Sequence, residues 1–379
     1  MAVGVVALVS LVALGVVARP NPSDGADLAV TAAASDPTAA GALATPSPLV
    51  AERPSAETAA TRVGPDRRHS RSGPDNPQLT LVVADAFSRL QEIDTATGDA
   101  RTIRVLAQPS RTRPRVMWRL GNSVVLDTVG DVVRVRGDGQ RPTVLAEDQR
   151  SVPTAGASSL WIYDGVDLAG RDAATGGTAS RITRDGTVVD RVTVPALAQP
   201  VGATPGSLVL RTPGAVLVVG ANGRTQSTVP GWGLASDGIR LARLVCAYRA
   251  CNVVIGTFDD PDQVRAPLAP ADIPADLSKA PQSRFSPDGR WLALAVHRTR
   301  RTGLTDTSRV SVIDVATGEE ALRVPGSPLT EPHTPFAWSP DGRWLALSMG
   351  SSVRMWDAER GELTDLEVRV PPTYAMTVR

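Results

Sequence analysis

The sequence predicts an all-β protein: a seven-bladed β-propeller with four-stranded antiparallel blades, preceded by an N-terminal hydrophobic helix and a disordered linker. Three observations lead to this fold class. One eight-residue segment occurs twice, a second short element occurs three times, and strand and turn patterns continue from residue 78 to the C terminus. Valine-rich runs separated by turns, with 33 Gly and 31 Pro in the chain, favour strands over helices.

The repeated segment is SPDGRWLA, at residues 286–293 and again at 339–346. Proline presets φ at the second turn position, aspartate can bond its own backbone, and glycine supplies a left-handed residue. These turn residues are Pro287, Asp288, Gly289, Pro340, Asp341 and Gly342. The strand that follows each turn is apolar at nearly every position, so it must be covered on both faces. Small sheets stacked face to face around an axis provide such cover.

The second repeated element is an apolar strand that ends in aspartate, with a glycine four residues later. It occurs as Asp94 with Gly98, Asp314 with Gly318, and Asp357 with Gly361. We interpret these aspartates as caps of tight turns rather than as ligands. The two elements together describe four antiparallel strands, which is the composition of a propeller blade.

Weaker copies of this pattern fill the region between the clear ones. Six blades of four strands are predicted at 114–146, 151–195, 200–229, 231–269, 282–325 and 334–368. Residues 79–106 supply only three strands, and the C-terminal segment 373–379 is a spare strand. We therefore predict that 373–379 becomes the innermost strand of the first blade and closes a ring of seven.

The two SPDGRWLA copies resemble the WD40-like repeats of bacterial propellers of the Tol-Pal translocation type. The resemblance covers the last two blades and the end of the first. No Gly-His dipeptide occurs, and Trp356-Asp357 is the sole Trp-Asp pair, which departs from eukaryotic-type WD40 repeats. The layout is also similar to actinobacterial membrane-anchored propellers, often encoded beside extracytoplasmic-function sigma factors, and that similarity implies a signalling role.

The first eighteen residues carry no charge, so 1–18 is a transmembrane anchor or a signal segment. No basic residue precedes the apolar run, which favours an uncleaved anchor and suggests a native start upstream of Met1. Residues 19–77 are rich in Pro, Ala and Ser and form a disordered linker, and 78–379 forms the propeller. We expect a single-pass cell-membrane protein with an extracytoplasmic propeller, or a secreted one if 1–18 is cleaved.

Cys246 and Cys251 flank four residues between two apolar runs. They suit the two strands of a hairpin, and an exported domain would oxidise them to a disulfide. A metal site would need further ligands to complete a tetrahedral shell. Two free thiols are the other alternative.

Function is less clearly indicated. The three histidines (69, 297 and 333) stand apart, and no nucleophile elbow, phosphate loop or dinucleotide fingerprint occurs. We therefore predict no catalytic residues, no cofactor and no metal. The balance of 40 basic and 39 acidic residues gives no reason to expect nucleic acid.

The sequence thus favours a non-catalytic binding, scaffold or sensor module for a protein, peptide or envelope ligand. A propeller hydrolase or lyase using the central channel face, and a structural spacer, are the alternatives. Residues 297–308 are predicted to be a long loop, either a partner contact or a tolerated insertion. Most of the seven tryptophans are expected between blades, with a few in the channel.

Overall fold

In the computed structural model, the described residues form seven four-stranded antiparallel sheets and belong to one compact unit, Gly64–Arg379. The described residues are 77–85, 89–105, 114–128, 131–136, 141–147, 149–164, 176–247, 250–268, 282–299, 305–325, 336–349, 352–366, 370 and 373–379. The predicted anchor 1–18 and nearly all of the predicted linker 19–77 lie outside them. Within the described part of the chain, no helix is long and apolar enough to span a bilayer.

Twenty-eight strands make up the described fold, with one short 3-10 turn at Ala155–Ala157. Their bounds are β1 Thr80–Asp85, β2 Arg89–Asp94, β3 Ala100–Val105, β4 Pro114–Leu120, β5 Ser123–Thr128, β6 Asp131–Arg136, β7 Thr143–Glu147, β8 Gln149–Pro153, β9 Ser159–Asp164, β10 Gly177–Thr183, β11 Val188–Val194, β12 Gln199–Ala203, β13 Ser207–Thr212, β14 Ala215–Gly220, β15 Thr225–Pro230, β16 Trp232–Ser236, β17 Arg240–Ala247, β18 Ala250–Thr257, β19 Val264–Leu268, β20 Gln282–Phe285, β21 Trp291–Thr299, β22 Thr305–Asp314, β23 Glu320–Pro325, β24 Phe336–Trp338, β25 Trp344–Ser348, β26 Val353–Asp357, β27 Glu362–Leu366 and β28 Thr373–Val378.

Each blade consists of four strands that are consecutive in the chain, except the first. Blade 1 has the order β28-β1-β2-β3, and blades 2 to 7 follow as β4–β7, β8–β11, β12–β15, β16–β19, β20–β23 and β24–β27. The prediction of seven four-stranded blades is confirmed. The strand segments also match the predicted blade regions closely.

The C-terminal strand closes the ring, as predicted. β28 pairs antiparallel with β1, from Val378 opposite Leu81 to Thr373 opposite Asp85. Beyond the strand, the amide of Arg379 donates to the carbonyl of Thr80 at 2.8 Å. The Arg379 side chain also donates to the carbonyl of Asn122 in blade 2, at 2.9 Å. One residue therefore links the first blade to the second.

The hydrophobic core lies between neighbouring blades rather than at one centre. All residues of β25 are buried, and so are Trp291 to Ala295 of β21. This confirms that the apolar strands are covered on both faces. Between blades 6 and 7, the Trp291 and Trp356 rings meet edge to face with centroids 5.3 Å apart, and Trp338 packs edge to face on Trp356 at 6.2 Å.

The two SPDG segments connect the innermost strand of a blade to the second strand. In blade 6, the amide of Gly289 donates to the carbonyl of Ser286 at 2.8 Å, and Gly289 has a positive φ of 70°. The Ser286 hydroxyl accepts from the amide of Trp291 at 3.0 Å. In blade 7, the Ser339 hydroxyl accepts from the amide of Trp344 at 2.8 Å, so both turns are closed by the same serine contact.

The aspartates that end the third strands cap the turns that follow. Oδ1 of Asp94 accepts from the amides of the residues two and three positions later, at 2.8 and 3.2 Å. Asp314 has the same contacts at 2.8 and 3.2 Å. Asp357 has them at 2.9 and 3.2 Å, and it also pairs with Arg343 at 2.9 Å. The interpretation of these residues as turn caps is confirmed.

Cys246 of β17 lies directly opposite Cys251 of β18, and the two form a disulfide. The predicted bond is confirmed. Cys251 is buried, whereas Cys246 is exposed near the end of the hairpin.

The prediction of a loop over residues 297–308 is wrong for residues 297–299 and 305–308, which lie in strands, whereas 300–304 lie outside the described residues. Strand β21 continues to Thr299 and β22 begins at Thr305, with Arg298 opposite Asp306 and Thr299 opposite Thr305. Backbone pairing therefore continues past a register shift next to Val296, and the extra length extends a hairpin. The segment is polar, so it lacks the apolar pattern that predicts a strand.

Candidate functional site

A cavity of about 430 Å³ lies at one end of the central channel. Its walls come from the innermost strands of all seven blades, β28, β4, β8, β12, β16, β20 and β24. Its rim is formed by turns that lead from the innermost to the second strand of a blade, such as Ala155–Ala157 and Ser286-Pro287. The ring closure therefore also completes the cavity, because Thr377 and Val378 of β28 belong to its wall.

Arg284 and Trp118 occupy the same level of the channel in two different blades. Arg284 of blade 6 pairs with Ala293, and Trp118 of blade 2 pairs with Val125, which in both cases is the third residue of the second strand. Three blades separate them on one side of the ring and two on the other, so they face each other across the channel. The guanidinium carbon of Arg284 lies 4.2 Å from the centroid of the Trp118 ring.

Among the residues that the structure describes, the Arg284 guanidinium has no acidic partner. Its contact within the described part of the chain is the cation–π contact with Trp118, and no described charge or side-chain hydrogen bond shifts its pKa. Burial lowers the pKa of Arg284 to about 10, because the charged form loses hydration. At neutral pH the side chain is still protonated and carries a positive charge into the cavity.

The other charged groups on the cavity wall leave it positive. Arg119 donates from Nε to the carbonyl of Gly121 at 3.1 Å, and Arg184 packs over the same glycine. Among the described lining residues, Asp237 has the one carboxylate. That carboxylate pairs with Arg240 at 2.8 Å and accepts from the backbone amide of Ile239 at 2.9 Å.

The wall combines unused polar donors with apolar surface. The indole Nε1 of Trp118 and the hydroxyl of Ser283 are buried and have no hydrogen-bond partner among the described residues. Trp338 lines the same cavity, and its Nε1 donates to the carbonyl of Arg284 at 3.3 Å. Apolar side chains, including Phe285, complete the wall. Such a wall suits a ligand with one anionic group and one apolar part.

The sequence-predicted site residues have different positions relative to this cavity. Pro287 and Pro340 of the two repeat turns line it. The other turn residues, Asp288, Gly289, Asp341 and Gly342, make contacts within their own turns or with the neighbouring turn. The Cys246–Cys251 disulfide lies on the β17–β18 hairpin and is not part of the described cavity wall.

Sequence reasoning missed Arg284 as a site residue. A signal was present in the repeat itself, because the equivalent position in the second copy is Ala337. The sister strand Phe336–Trp338 is wholly apolar, so an arginine where that strand has alanine marks an exception to the packing pattern. The expectation that a few tryptophans line the channel applies to Trp118 and Trp338, whereas Trp161 and Trp356 are buried between neighbouring blades.

A second buried charge joins blades 2 and 3 away from the cavity wall. Asp127 of β5 pairs with Arg150 of β8 at 3.0 Å and accepts from the amide of Ser151 at 2.8 Å. Burial outweighs these contacts and raises the pKa of Asp127 to about 7. Among the residues that the structure describes, no group of three or more His, Cys, Asp or Glu side chains is placed to hold a metal ion.

The fold and the site define a seven-bladed β-propeller with a positively charged cavity at one mouth of its channel. No protein-family model and no curated protein matches the sequence. Among solved structures, the chain is similar to TolB from Acinetobacter baumannii, with 12% identity over 79% of this chain and 66% of that chain and a TM-score of 0.43.

Two further structures show a likeness of the same kind. For a Lactobacillus plantarum protein the identity is 13% over 80% of this chain and 100% of that chain, with a TM-score of 0.48. For apo AztD from Citrobacter koseri it is 13% over 79% of this chain and 98% of that chain, with a TM-score of 0.46. At these identities the likeness concerns the fold alone, and it carries no argument about function.

Proposed function

We propose that this protein is a membrane-anchored, extracytoplasmic propeller that acts as a binding, scaffold or sensor module. The channel-mouth cavity is its ligand site, and the partner is a protein, a peptide or an envelope component. The observation that carries the proposal is a preformed cavity whose wall combines apolar surface with a half-buried cation, Arg284, that has no carboxylate partner among the described residues. Preformed, largely apolar pockets with a few polar groups are the usual form of a binding site.

The charge distribution favours binding over the hydrolase alternative. Glycoside hydrolysis generally uses two carboxylates that flank the scissile bond. Among the described lining residues, the cavity has one carboxylate, Asp237, and its oxygens are already engaged by Arg240 and by backbone amides. A carboxylate held in this way is a poor proton acceptor or nucleophile.

The proposed location has two supports. The Cys246–Cys251 disulfide is typical of an oxidising compartment outside the cytoplasm. The uncharged segment 1–18 is long enough, at the lower limit, for a transmembrane anchor. Protease treatment of intact spheroplasts tests the location: the propeller should be digested or released without lysis, and full protection until lysis would contradict it.

Site-specific photo-crosslinking in living cells tests the ligand site. Ile239, 67% exposed, follows Asp237 on the rim of the cavity, so a photoreactive residue at 239 should crosslink to the partner. Val144 is the matched control, because it is a 51% exposed apolar residue on the outermost strand of blade 2. A crosslink from 144 alone would place the partner on the outer edge of the propeller instead of the cavity. No crosslink from either position would favour the alternative that the protein is a structural spacer.

A further inference from the structure

We infer that the cavity binds a carboxylate attached to an apolar group, and that the Arg284 guanidinium holds the carboxylate. The inference rests on the proposed function, in which the same cavity is the ligand site, and it assigns the chemical class of the ligand. The sources with this chemistry are the C terminus of a peptide and a free organic acid.

The first argument is the unbalanced charge. Arg284 is half-buried, and an ion that has lost part of its hydration normally has a partner that replaces it. Arg284 contacts Trp118 through its guanidinium, 4.2 Å from the ring centroid, and no described carboxylate faces it. A guanidinium over an aromatic face retains N–H donors along its edge, and these match the two oxygens of a carboxylate. A bound carboxylate therefore supplies the missing partner.

The second argument is the composition of the surrounding wall. Trp118 Nε1 and Ser283 Oγ are further polar groups without partners in the described part of the chain. Both residues line the cavity, as do Phe285 and Trp338, which supply apolar surface. A single guanidinium matches a singly charged carboxylate better than a phosphate dianion, and the apolar wall accommodates the group to which the carboxylate is attached.

The third argument is the sister repeat. Blade 7 has Ala337 where blade 6 has Arg284, and both residues follow the same register against the second strand. Ala337 is buried in the interface between blades 7 and 1. A small apolar residue is therefore compatible with the blade at this position, so the fold itself does not require an arginine there.

Calorimetric titration of the detergent-solubilised full-length chain tests the inference. The probes are N-acetyl-Ala-Ala-Phe with a free C-terminal carboxylate, the same peptide with a C-terminal amide, 3-phenylpropanoate, and inorganic phosphate. The free-acid peptide should bind at least about tenfold more tightly than the amide, as expected for a hydrogen-bonded charge pair. Binding of 3-phenylpropanoate as well would identify a free acid as a sufficient ligand, and binding of the peptide alone would identify a peptide C terminus.

Variants separate a binding role of Arg284 from a packing role. Arg284→Met retains most of the side-chain volume and removes the charge, so acid binding should weaken by about tenfold or more while the melting temperature stays equal or rises. Arg284→Lys keeps the charge without the fork geometry and should weaken binding less. The control is Arg290→Met, because Arg290 also lies over a tryptophan ring, Trp291 at 4.8 Å, but is exposed outside the described cavity wall.

Four results would overturn the inference: equal affinity for acid and amide, no binding of either acid, tighter binding of phosphate than of the acids, or unchanged acid affinity in Arg284→Met. The amide comparison uses wild-type protein, so it remains decisive if a variant fails to fold. Crosslinking from position 239 separates the two claims. A partner crosslink from position 239 without acid binding supports the proposed function and refutes the carboxylate ligand. The absence of a crosslink from position 239 refutes the proposed function.

Discussion

Removal of residues 373–379 tests how the propeller ring closes. The segment contains β28, the innermost strand of blade 1, whose other three strands come from the opposite end of the described chain. Its loss exposes one edge of β1 and removes part of the core between blades 7 and 1, where Met376 and Val378 pack. Both side chains are at most 2% exposed.

The free energy of unfolding that the deletion removes can be worked out from the side chains and backbone groups that β28 buries. A fully buried Met or Val side chain contributes about 1.5–3 kcal/mol. Each backbone hydrogen bond of the β28–β1 ladder adds a net contribution of about 0.5–1.5 kcal/mol. With two side chains and one bond for each of the five paired positions, these contributions reach roughly 5–13 kcal/mol, which is comparable with the whole stability of a typical domain, about 5–15 kcal/mol. We therefore expect the deletion to unfold the propeller, not merely to loosen one blade.

The assay compares three full-length proteins by thermal denaturation, followed by circular dichroism and tryptophan fluorescence. The first is wild type and the second lacks 373–379. In the third, 373–379 is moved to precede residue 79 through a short Gly-Ser turn. Since the amide of Arg379 bonds the carbonyl of Thr80, a short turn can join the relocated strand to β1 as a hairpin.

We expect the deletion variant to lose its cooperative transition and the relocated variant to recover most of it. An unchanged melting curve for the deletion variant would refute the closure argument. If the deletion variant unfolds and the relocated variant does not recover the transition, the covalent connection from blade 7 to β28, rather than strand pairing, holds the ring closed.

The other predictions concern a glycine, the disulfide and a buried acid. Gly342→Ala should destabilise the protein more than Gly361→Ala in urea unfolding. Both glycines have positive φ, which costs alanine about 1–2 kcal/mol, but only at 342 would the new Cβ lie 2.8 Å from Asp288, in the equivalent turn of blade 6. Equal losses of stability would contradict this prediction. Replacing Cys246 and Cys251 by serine should cost about 2 kcal/mol, since the closed loop is short, and wild type should titrate with no free thiols under denaturing, non-reducing conditions. Burial raises the pKa of Asp127 to about 7, so the native state binds a proton that the unfolded chain releases near pH 4. Protonation of Asp127 therefore stabilises the native state fully below about pH 4, and this stabilisation is lost as the pH rises through about 7. Wild type should therefore lose free energy of unfolding between pH 5 and pH 8, and Asp127→Asn should lose less. If wild type instead gains stability over this range relative to the variant, the raised pKa of Asp127 is refuted.

The pattern of the chain was sufficient to predict the blades. The SPDG turns and the aspartate-capped turns are local structures, and their hydrogen bonds join residues a few positions apart, such as Ser286 and Trp291. Uninterrupted apolar runs indicated strands covered on both faces, and the unpaired strand 373–379 indicated the closure. The disulfide was also readable, because Cys246 and Cys251 lie on adjacent strands of one hairpin.

The candidate site could not be predicted in the same way. Arg284 and Trp118 are far apart in the chain, and only the curvature of the ring brings blades 6 and 2 to opposite sides of one channel. The extended hairpin after Val296 was missed for a related reason, since its pairing depends on backbone register rather than on apolar side chains.

By itself, the sequence determined most of the strands and their turns, because hairpins depend on contacts between neighbours in the chain. The number of blades followed from the spare strand 373–379, which supplies the strand that the first blade lacks. The tertiary structure alone decided which side chains share the channel, and so where a cation has no counter-charge among the described residues. Hydration and charge compensation depend on distance in space, and the closed ring sets that distance between residues that the chain keeps apart.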